Sequence, residues 1–186
     1  GYCAPDPLYA PEQAALMARL RNDVSERLWG KRLKHSFGVA ATALWLARRC
    51  GADEFEAEAA GLLHDWDKKL SSEELWGKVD EYGIDVPRVD GALPVLHGLT
   101  AAASLPRDYP ELGAEVFQAI ARHTTGAPGM TDLDMVVYVA DMIEPGREGG
   151  FVDDIRKLAC TAPLRQVYAE CVRVGLIYLL KSGRFV

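Results

Sequence analysis

The sequence predicts an all-α protein that folds as a single domain. Apolar residues recur at helical spacing along most of the chain, and no segment shows the alternation of apolar and polar residues that is typical of a β-strand. Capping residues and glycines separate the apolar segments, so short polar turns are expected between the helices. A chain of 186 residues is also long enough to bury one core without disulfides.

The first two predicted helices lie in the N-terminal quarter of the chain. Pro11 suits the first position of a helix that extends to about Trp29, and Gly30 ends it. A second helix covers residues 31–50 and ends at Gly51. The apolar stripe that we expect to face the core consists of Leu33, Phe37, Ala40, Leu44 and Ala47.

Two more helices begin at capping signatures. Asp53, followed three residues later by Glu56, predicts the start of a helix that continues through the segment HDWDKK at residues 64–69. Ser71 and Glu74 form the same signature at the start of the next helix, which again ends at a glycine.

The second half of the chain continues the helical pattern. Residues 84–92 form a predicted loop, and helices follow at about 94–105 and at Pro110–His123. After the loop TTGAPGM, Thr131 caps a strongly apolar helix, and this helix ends at the segment EPGREGG. Two further helices complete the chain. The last one either belongs to the core, which we favour, or forms the interface of a homodimer. Its apolar residues are Val167, Cys171, Val174, Leu176 and Tyr178.

Composition excludes several classes of partner. The formal net charge of −6 argues against a general nucleic-acid surface, although a local cluster of cations can still bind a small anion. No apolar run approaches the roughly 18 residues of a membrane span, and we expect no signal peptide. The four cysteines contain no CxxC pair, so we expect reduced thiols in a cytoplasmic protein. These cysteines are Cys3, Cys50, Cys160 and Cys171.

All four histidines of the chain lie on predicted helices or at their ends. Asp65 directly follows one of them, and Asp141 lies inside the apolar segment VVYVADMI. Because an unpaired buried charge is costly, the two carboxylates need a partner, and metal ions would serve them and the histidines together. Six ligands exceed the needs of one tetrahedral ion, so two ions bridged by a carboxylate are plausible. The six candidate ligands are His35, His64, Asp65, His97, His123 and Asp141.

Each of these residues also has an ordinary interpretation when it is taken alone. A single helical histidine such as His35 is more often hydrogen-bonded in a core than bound to metal. Asp141 can cap the turn that follows it, and Asp67 is most simply a surface charge. Structural zinc is a further alternative, but no thiolate belongs to the set. The ordered set of ligands across several helices favours the metal interpretation.

The set resembles the HD-domain metal-dependent phosphohydrolases, whose name comes from the His-Asp pair that corresponds here to His64 and Asp65. Within that superfamily the chain is most similar to the YqeK family of symmetrical diadenosine tetraphosphate hydrolases. The matching segments are KRLKHSFGVAATALWLA, AGLLHDWDKKL, PVLHGLTAA, AIARHTTGAPGM and VVYVADMIEPGR. The resemblance covers about residues 30–160. It implies one HD-domain helical bundle over residues 1–186, with the terminal helices packed on it and a dinuclear metal site between helices.

The resemblance also implies roles for individual residues. One iron would be held by His35, His64, Asp65 and Asp141, and Asp65 would bridge to a second iron held by His97 and His123. Manganese and zinc would suit the same ligands. Asp65 and Lys68 would act in catalysis. The expected contacts to substrate come from Lys68, Thr125, Gly126 and Arg147. Two departures from the family pattern concern substrate fit: Asp67 replaces a small residue, and LHGLTAAASL lacks a glycine-alanine pair.

The implied reaction is the symmetrical hydrolysis of diadenosine tetraphosphate to two ADP molecules by a hydroxide that bridges the two metals. One alternative is another HD-domain nucleotide phosphohydrolase, such as a nucleoside monophosphatase, which often uses a single metal. In that case His97 and His123 would have no role as ligands. The other alternative is a non-catalytic nucleotide-binding regulatory module, which an assay of turnover would distinguish.

Overall fold

The structure is a computed structural model that describes residues 8–183, except for the side chain of Asp90. This part of the chain contains helices, turns and loops and no strand, which confirms the all-α prediction. The helices are α1 (Pro11–Arg27), α2 (Gly30–Cys50), α3 (Glu54–Leu63), α4 (Ser72–Glu81), α5 (Leu93–Asp108), α6 (Ala114–Arg122), α7 (Asp132–Ile143), α8 (Gly150–Thr161) and α9 (Leu164–Ser182). A short 3-10 turn at Asp90–Ala92 precedes α5.

The centre of the bundle consists of α2, α3 and α7. Every residue of α3 except Glu54 and Glu56 is buried, so this helix is surrounded by other helices. Gly61 allows α3 to approach α2 closely, since a Cβ atom at this position would lie 3.0 Å from the Cα of Ala40. This close packing places the end of α3 beside the first turns of α2.

The predicted capping residues form the expected hydrogen bonds. The side chain of Asp53 accepts a hydrogen bond from the backbone N–H of Glu56. Ser71 with Glu74, and Thr131 with Asp134, form reciprocal capping boxes at the starts of α4 and α7. These local signatures therefore locate three helix starts correctly.

Three predicted helix boundaries are wrong. The first helix ends at Arg27, and Gly30 begins α2 with a φ of 61° instead of ending α1. The helix predicted from Pro110 begins only at Ala114, because the extended backbone of Gly113 (ψ 153°) interrupts it. The helix predicted to continue through residues 64–69 ends at Leu63, and a run of turns follows.

The predicted buried stripe of α2 is also partly wrong. Phe37 is exposed and Leu44 is only partly buried, whereas Ala40 and Ala47 do lie in the core. The face that packs against α3 and α7 carries mostly small side chains, because the helices approach closely there. The buried residues of α2 are Ser36, Val39, Ala40, Ala43, Leu46 and Ala47.

The last helix divides into two parts. Val167 and Cys171 are buried in the core, as the favoured interpretation requires, while Leu176 and Tyr178 are exposed. Of the cysteines, Cys50, Cys160 and Cys171 are free thiols, and Cys3 lies outside the described residues. No helix within residues 8–183 is long and apolar enough to cross a membrane.

Candidate metal centre

Six side chains from five helices or helix ends converge at one place in the bundle. They are His35 on α2, His64 at the C-terminal cap of α3, Asp65 in the turn after it, His97 on α5, His123 at the C-terminal cap of α6, and Asp141 on α7. All six were proposed as ligands from the sequence. The structure thus brings together residues that are far apart in the chain.

His35, His64 and Asp141 form one group. The Nε2 atom of His35 lies 3.1 Å from the Nε2 atom of His64 and 3.1 Å from Oδ1 of Asp141. One ligand atom from each residue lies within 4.8 Å of the other two, a spacing that a single metal ion can span.

Asp65 connects this group to the remaining histidines. Its Oδ1 atom lies 3.2 Å from Nε2 of His97, which in turn lies 3.1 Å from Nε2 of His123. Its Oδ2 atom lies 3.4 Å from Nε2 of His64 and 3.6 Å from Nε2 of His35. The two oxygens of Asp65 therefore face different pairs of histidines. A second set of atoms within 4.8 Å joins His64, Asp65 and His123, so His64 lies near both groups.

Hydrogen bonds at Nδ1 orient the imidazole rings. Nδ1 of His64 donates to the carbonyl of Gly61 and Nδ1 of His123 donates to the carbonyl of Ile120, each over 2.7 Å. A carbonyl only accepts, so both rings carry a proton on Nδ1, and in its neutral form each ring presents a lone pair at Nε2. Nδ1 of His35 similarly lies 3.1 Å from Oε1 of Glu144.

This donor chemistry fits bound metal ions. Neighbouring Nε2 atoms face each other at 3.1 Å with carboxylate oxygens beside them. Lone pairs at such distances repel one another unless a cation lies between them. Imidazole nitrogens with carboxylate oxygens suit iron, manganese or zinc. The residues present therefore fit a divalent metal site.

Burial and mutual contacts shift the pKa values of these groups in different directions. Burial alone would raise the pKa of Asp65, but the charge and hydrogen bonds of His64, together with those of His97, hold it far below its ordinary value. Burial would likewise raise the pKa of Asp141, but the hydrogen bond with His35 and the charge of His64 lower it. Both carboxylates are ionised at neutral pH.

The histidines respond to the same environment. Burial lowers the pKa of His123 to about 3, with the charge of His64 acting in the same direction. Burial also lowers the pKa of His97. Burial would lower the pKa of His64 too, but the neighbouring charge of Asp65 outweighs it and raises the pKa. His97 and His123 are therefore held in the neutral form that metal ligation requires.

Three cations surround the centre. Nζ of Lys68 lies 3.3 Å from both ring nitrogens of His97, and burial lowers the pKa of this lysine. Arg147 donates to Oδ1 of Asp141 over 2.5 Å and to its backbone carbonyl over 2.9 Å. Arg32 donates to Oδ2 of Asp65 over 2.5 Å.

Arg32 was not among the site residues predicted from the sequence. It lies three residues before His35 on α2 and thus on the same helical face, which is a signal that could have identified it.

The loop after α6 differs in detail from the sequence-based expectation. The hydroxyl of Thr124 lies 3.1 Å from Nε2 of His123, whereas the hydroxyl of Thr125 bonds to the carbonyl of Gly126. Gly126 has a φ of 67°, and its N–H bonds to the carbonyl of Arg122, so this glycine ends the helix. The structure thus places Thr124, which the sequence analysis missed, closer to the metal ligands than Thr125.

Asp67 is not a surface charge, so that interpretation is wrong. Its side chain is fully buried, and it forms ion pairs with Arg27 over 2.8 Å and with Lys78 over 2.6 Å. Lys78 also donates to the hydroxyl of Ser104 over 2.8 Å. This network joins α1, α4 and α5 to the turn that carries Asp65 and Lys68.

Two clefts open onto the centre. The first, which we call the His123 cleft, has a volume of about 270 Å³. Its lining includes His123, Thr124, Tyr138, Asp141, Met142, Arg147, Glu148 and Phe151. The second, the His35 cleft, has a volume of about 760 Å³. Its lining includes Lys31, Arg32, Lys34, His35, Gly38, Glu144, Arg147 and Glu148.

Known proteins share both the sequence pattern and the fold. The family model of the HD domain matches residues 32–146. The symmetrical bis(5'-nucleosyl)-tetraphosphatase of Bacillus subtilis is 35% identical over 87% of this chain and 86% of its own length. The enzyme of the same name from Staphylococcus aureus is 38% identical over 72% of this chain and 69% of its own length. A crystal structure from Clostridium acetobutylicum is described as a predicted HD superfamily hydrolase involved in NAD metabolism. It superposes on this chain with a TM-score of 0.82 at 31% sequence identity, and the match covers 91% of this chain and 90% of that chain.

Proposed function

We propose that this chain, which belongs to the HD-domain family, hydrolyses diadenosine tetraphosphate symmetrically to two molecules of ADP. The observation that carries this proposal is the position of Asp65, whose two oxygens face two different pairs of histidines. Relatives that carry the name of this activity match most of the chain.

We further propose that the centre holds two metal ions, with iron the first candidate and manganese or zinc the alternatives. His35, His64 and Asp141 would hold one ion and His97 and His123 the other, with Asp65 between them. When bound, the ions would supply Lewis acidity toward the phosphate oxygens and a water of lowered pKa as the nucleophile. The nearness of His97 to both Asp65 and His123 supports two ions over one.

Residues around the centre would bind and orient the polyphosphate. Arg147 has a planar guanidinium, its side chain is about half exposed while it contacts Asp141, and its N–H groups would bind a phosphate. Lys68 is partly buried beside His97, where its charge would attract a phosphoryl oxygen that enters the site. Thr125 and Gly126, in the loop after α6, would contact the substrate from the side of His123.

The leaving group explains why the site needs no additional acid. ADP leaves as a stable anion, so protonation of the leaving oxygen is not required for fast cleavage. This agrees with the use of all four histidines of the chain as ligands. The other function considered, nucleoside monophosphatase activity with a single ion, leaves the convergence of His97 and His123 unexplained.

The test is the identification of products together with metal analysis. Protein purified without chelator should contain close to two metals per chain and convert diadenosine tetraphosphate to ADP alone, as resolved by chromatography. AMP and ATP as products would contradict symmetrical cleavage. A metal content of one, unchanged in His97→Ala and His123→Ala variants, would contradict the dinuclear centre. Absence of any turnover after metal is added back would favour the regulatory module.

A further inference from the structure

The His35 cleft carries an excess of positive charge in an acidic protein. Its lining contains the cations Lys31, Arg32, Lys34 and Arg147 and the acids Glu144 and Glu148. Arg32 and Arg147 are already bound to the ligands Asp65 and Asp141. Lys31 and Lys34 are exposed, and neither forms an ion pair within the described part of the chain.

The position of these lysines costs helix stability. Lys31, Arg32 and Lys34 lie at the start of α2, where the helix dipole disfavours cations, and the first turn of α2 contains no acidic residue. By contrast, α3, α4 and α7 each begin with two acidic residues. Because cations at a helix start are unfavourable for the helix, we interpret these residues as contacts for a ligand.

The two acids of the cleft offset only part of this charge. Glu144 is buried, and its Oε1 lies 3.1 Å from Nδ1 of His35 while its Oε2 accepts from the N–H of Gly146 over 2.6 Å. Its carboxylate is therefore occupied by the protein. Glu148 is exposed and lines both clefts.

The two clefts contact the metal centre at different candidate ligands. The His123 cleft reaches it at His123 and Asp141, and the His35 cleft reaches it at His35. Both clefts share Arg147. A molecule with two equal halves joined by a phosphate chain can therefore lie with one half in each cleft and the middle of the chain at the centre.

We infer that the His35 cleft binds one nucleotide half of the dinucleotide, and that Lys31 and Lys34 contact the phosphates of this half. This inference rests on the proposed hydrolysis of diadenosine tetraphosphate. The two lysines would favour a dinucleoside polyphosphate over a mononucleotide bound in the His123 cleft, because only the longer ligand extends past the centre and reaches them. They would therefore contribute to substrate selection and not to chemistry at phosphorus.

A double substitution that removes both positive charges tests this role. The variant Lys31→Gln/Lys34→Gln removes both cations while keeping side chains of similar size. The control variant Lys157→Gln/Lys181→Gln removes the same charge from exposed positions on α8 and α9. Binding of a diadenosine tetraphosphate analogue with a methylene group in the central bridge, which cannot be hydrolysed, is measured by calorimetry on metal-loaded protein.

The cleft variant should bind the analogue about tenfold more weakly than the unmodified protein, since each exposed ion pair and its hydrogen bond contribute modestly. Its KM for diadenosine tetraphosphate should rise more than its kcat falls, and the salt dependence of its kcat/KM should become shallower. The control variant should match the unmodified protein in each of these properties, and all three proteins should contain the same amount of metal per chain.

The two proposals fail in different ways. Equal analogue affinity for the cleft variant and the unmodified protein would overturn the role of Lys31 and Lys34, even where the unmodified protein converts diadenosine tetraphosphate to ADP alone. An equal loss of affinity in the control variant would also overturn it, because the effect would then reflect net charge. Absence of ADP from the unmodified protein would overturn the proposed function and, with it, the assignment of this cleft to a nucleotide half.

Discussion

At the scale of single residues, the end of α3 explains how adjacent residues reach one centre. Side chains of neighbouring residues on a continuous helix point about 100° apart. His64 is the C-terminal cap of α3 and keeps helical backbone angles (φ −53°, ψ −36°), and Asp65 lies in the run of turns that follows the helix. Asp65 can therefore face His97 on α5 while the ring of His64 stays beside His35.

The first prediction concerns Asp65. Asp65→Ala removes the carboxylate that lies between the two histidine pairs, so the protein should lose most of its bound metal and all measurable hydrolysis of diadenosine tetraphosphate. Elemental analysis and product chromatography on the same samples test this. Asp154→Ala, at an exposed position on α8, should retain both properties. Full metal content in Asp65→Ala would rule out the bridging role.

The six candidate ligands could be predicted from the sequence because their residue types are conspicuous in helical segments. Arg32 and Thr124 were not predicted, because they have ordinary polar side chains that acquire significance only through their contacts with Asp65 and His123. The interpretation of Asp67 as a surface charge is also wrong, because its burial depends on Arg27 and Lys78 from other helices. Contacts between distant segments were the information that the sequence alone lacked.

At the scale of elements, capping signatures were a better guide than apolar stripes. A capping box is a local interaction within four residues, so its pattern is complete in the sequence. The buried face of α2 depends instead on which helices pack against it. Ser36 and Ala43 are buried and Phe37 is exposed because the close approach of α3 at Gly61 favours small side chains.

The second prediction tests this close approach. In Gly61→Ala, the new Cβ would lie 3.0 to 3.1 Å from backbone atoms of Val39 and Ala40, so α2 and α3 must separate. We expect a loss of about 1–3 kcal/mol in the free energy of unfolding and weaker metal binding, since His35 and His64 lie on these two helices. Urea denaturation and metal titration measure the two effects.

The control for this prediction is Gly77→Ala on α4. Gly77 is exposed and helical, and nothing lies within 4 Å of a Cβ atom built there. Alanine favours a helix over glycine by roughly 0.5–1 kcal/mol, so this variant should be slightly more stable than the unmodified protein. Equal effects of the two substitutions would mean that Gly61 has no special packing role.

The third prediction concerns the buried network that joins three helices to the metal-binding turn. Asp67→Ala leaves Lys78 and Arg27 without their carboxylate partner. Because both cations are partly buried, we expect a loss of about 2–4 kcal/mol in the free energy of unfolding. Asp80→Ala, which removes an exposed ion pair with Arg88, should cost less than about 1 kcal/mol. Comparable losses in both variants would contradict the importance of the buried network.

At the scale of the whole molecule, charge is distributed unevenly. The chain has a formal net charge of −6, yet cations line the His35 cleft and surround the metal ligands. An acidic exterior repels nucleic acids, while a local group of cations and metals still attracts a small polyanion. The net charge of the whole sequence therefore does not predict the local charge of this cleft.

The fourth prediction concerns the dependence of stability on pH. Burial lowers the pKa of His97 and brings that of His123 to about 3, below the value of about 6.5 for an unfolded chain. As the pH falls below about 6.5, these two histidines bind protons in the unfolded state but not in the folded state, so the free energy of unfolding decreases. The raised pKa of His64 acts in the opposite direction. The lowered pKa values of Asp65 and Asp141 matter only below about pH 4.

Bound metal should strengthen this dependence, because protons compete with metal for every imidazole. We therefore expect the Tm of metal-loaded protein to fall between pH 7 and pH 5 together with its metal content, and excess metal to restore part of both. In metal-free protein the decline should be smaller, since His64 opposes the effect of His97 and His123. Thermal denaturation with parallel metal analysis across this range tests the prediction. A Tm that does not respond to pH, chelator or added metal would contradict a functional metal centre formed by these histidines.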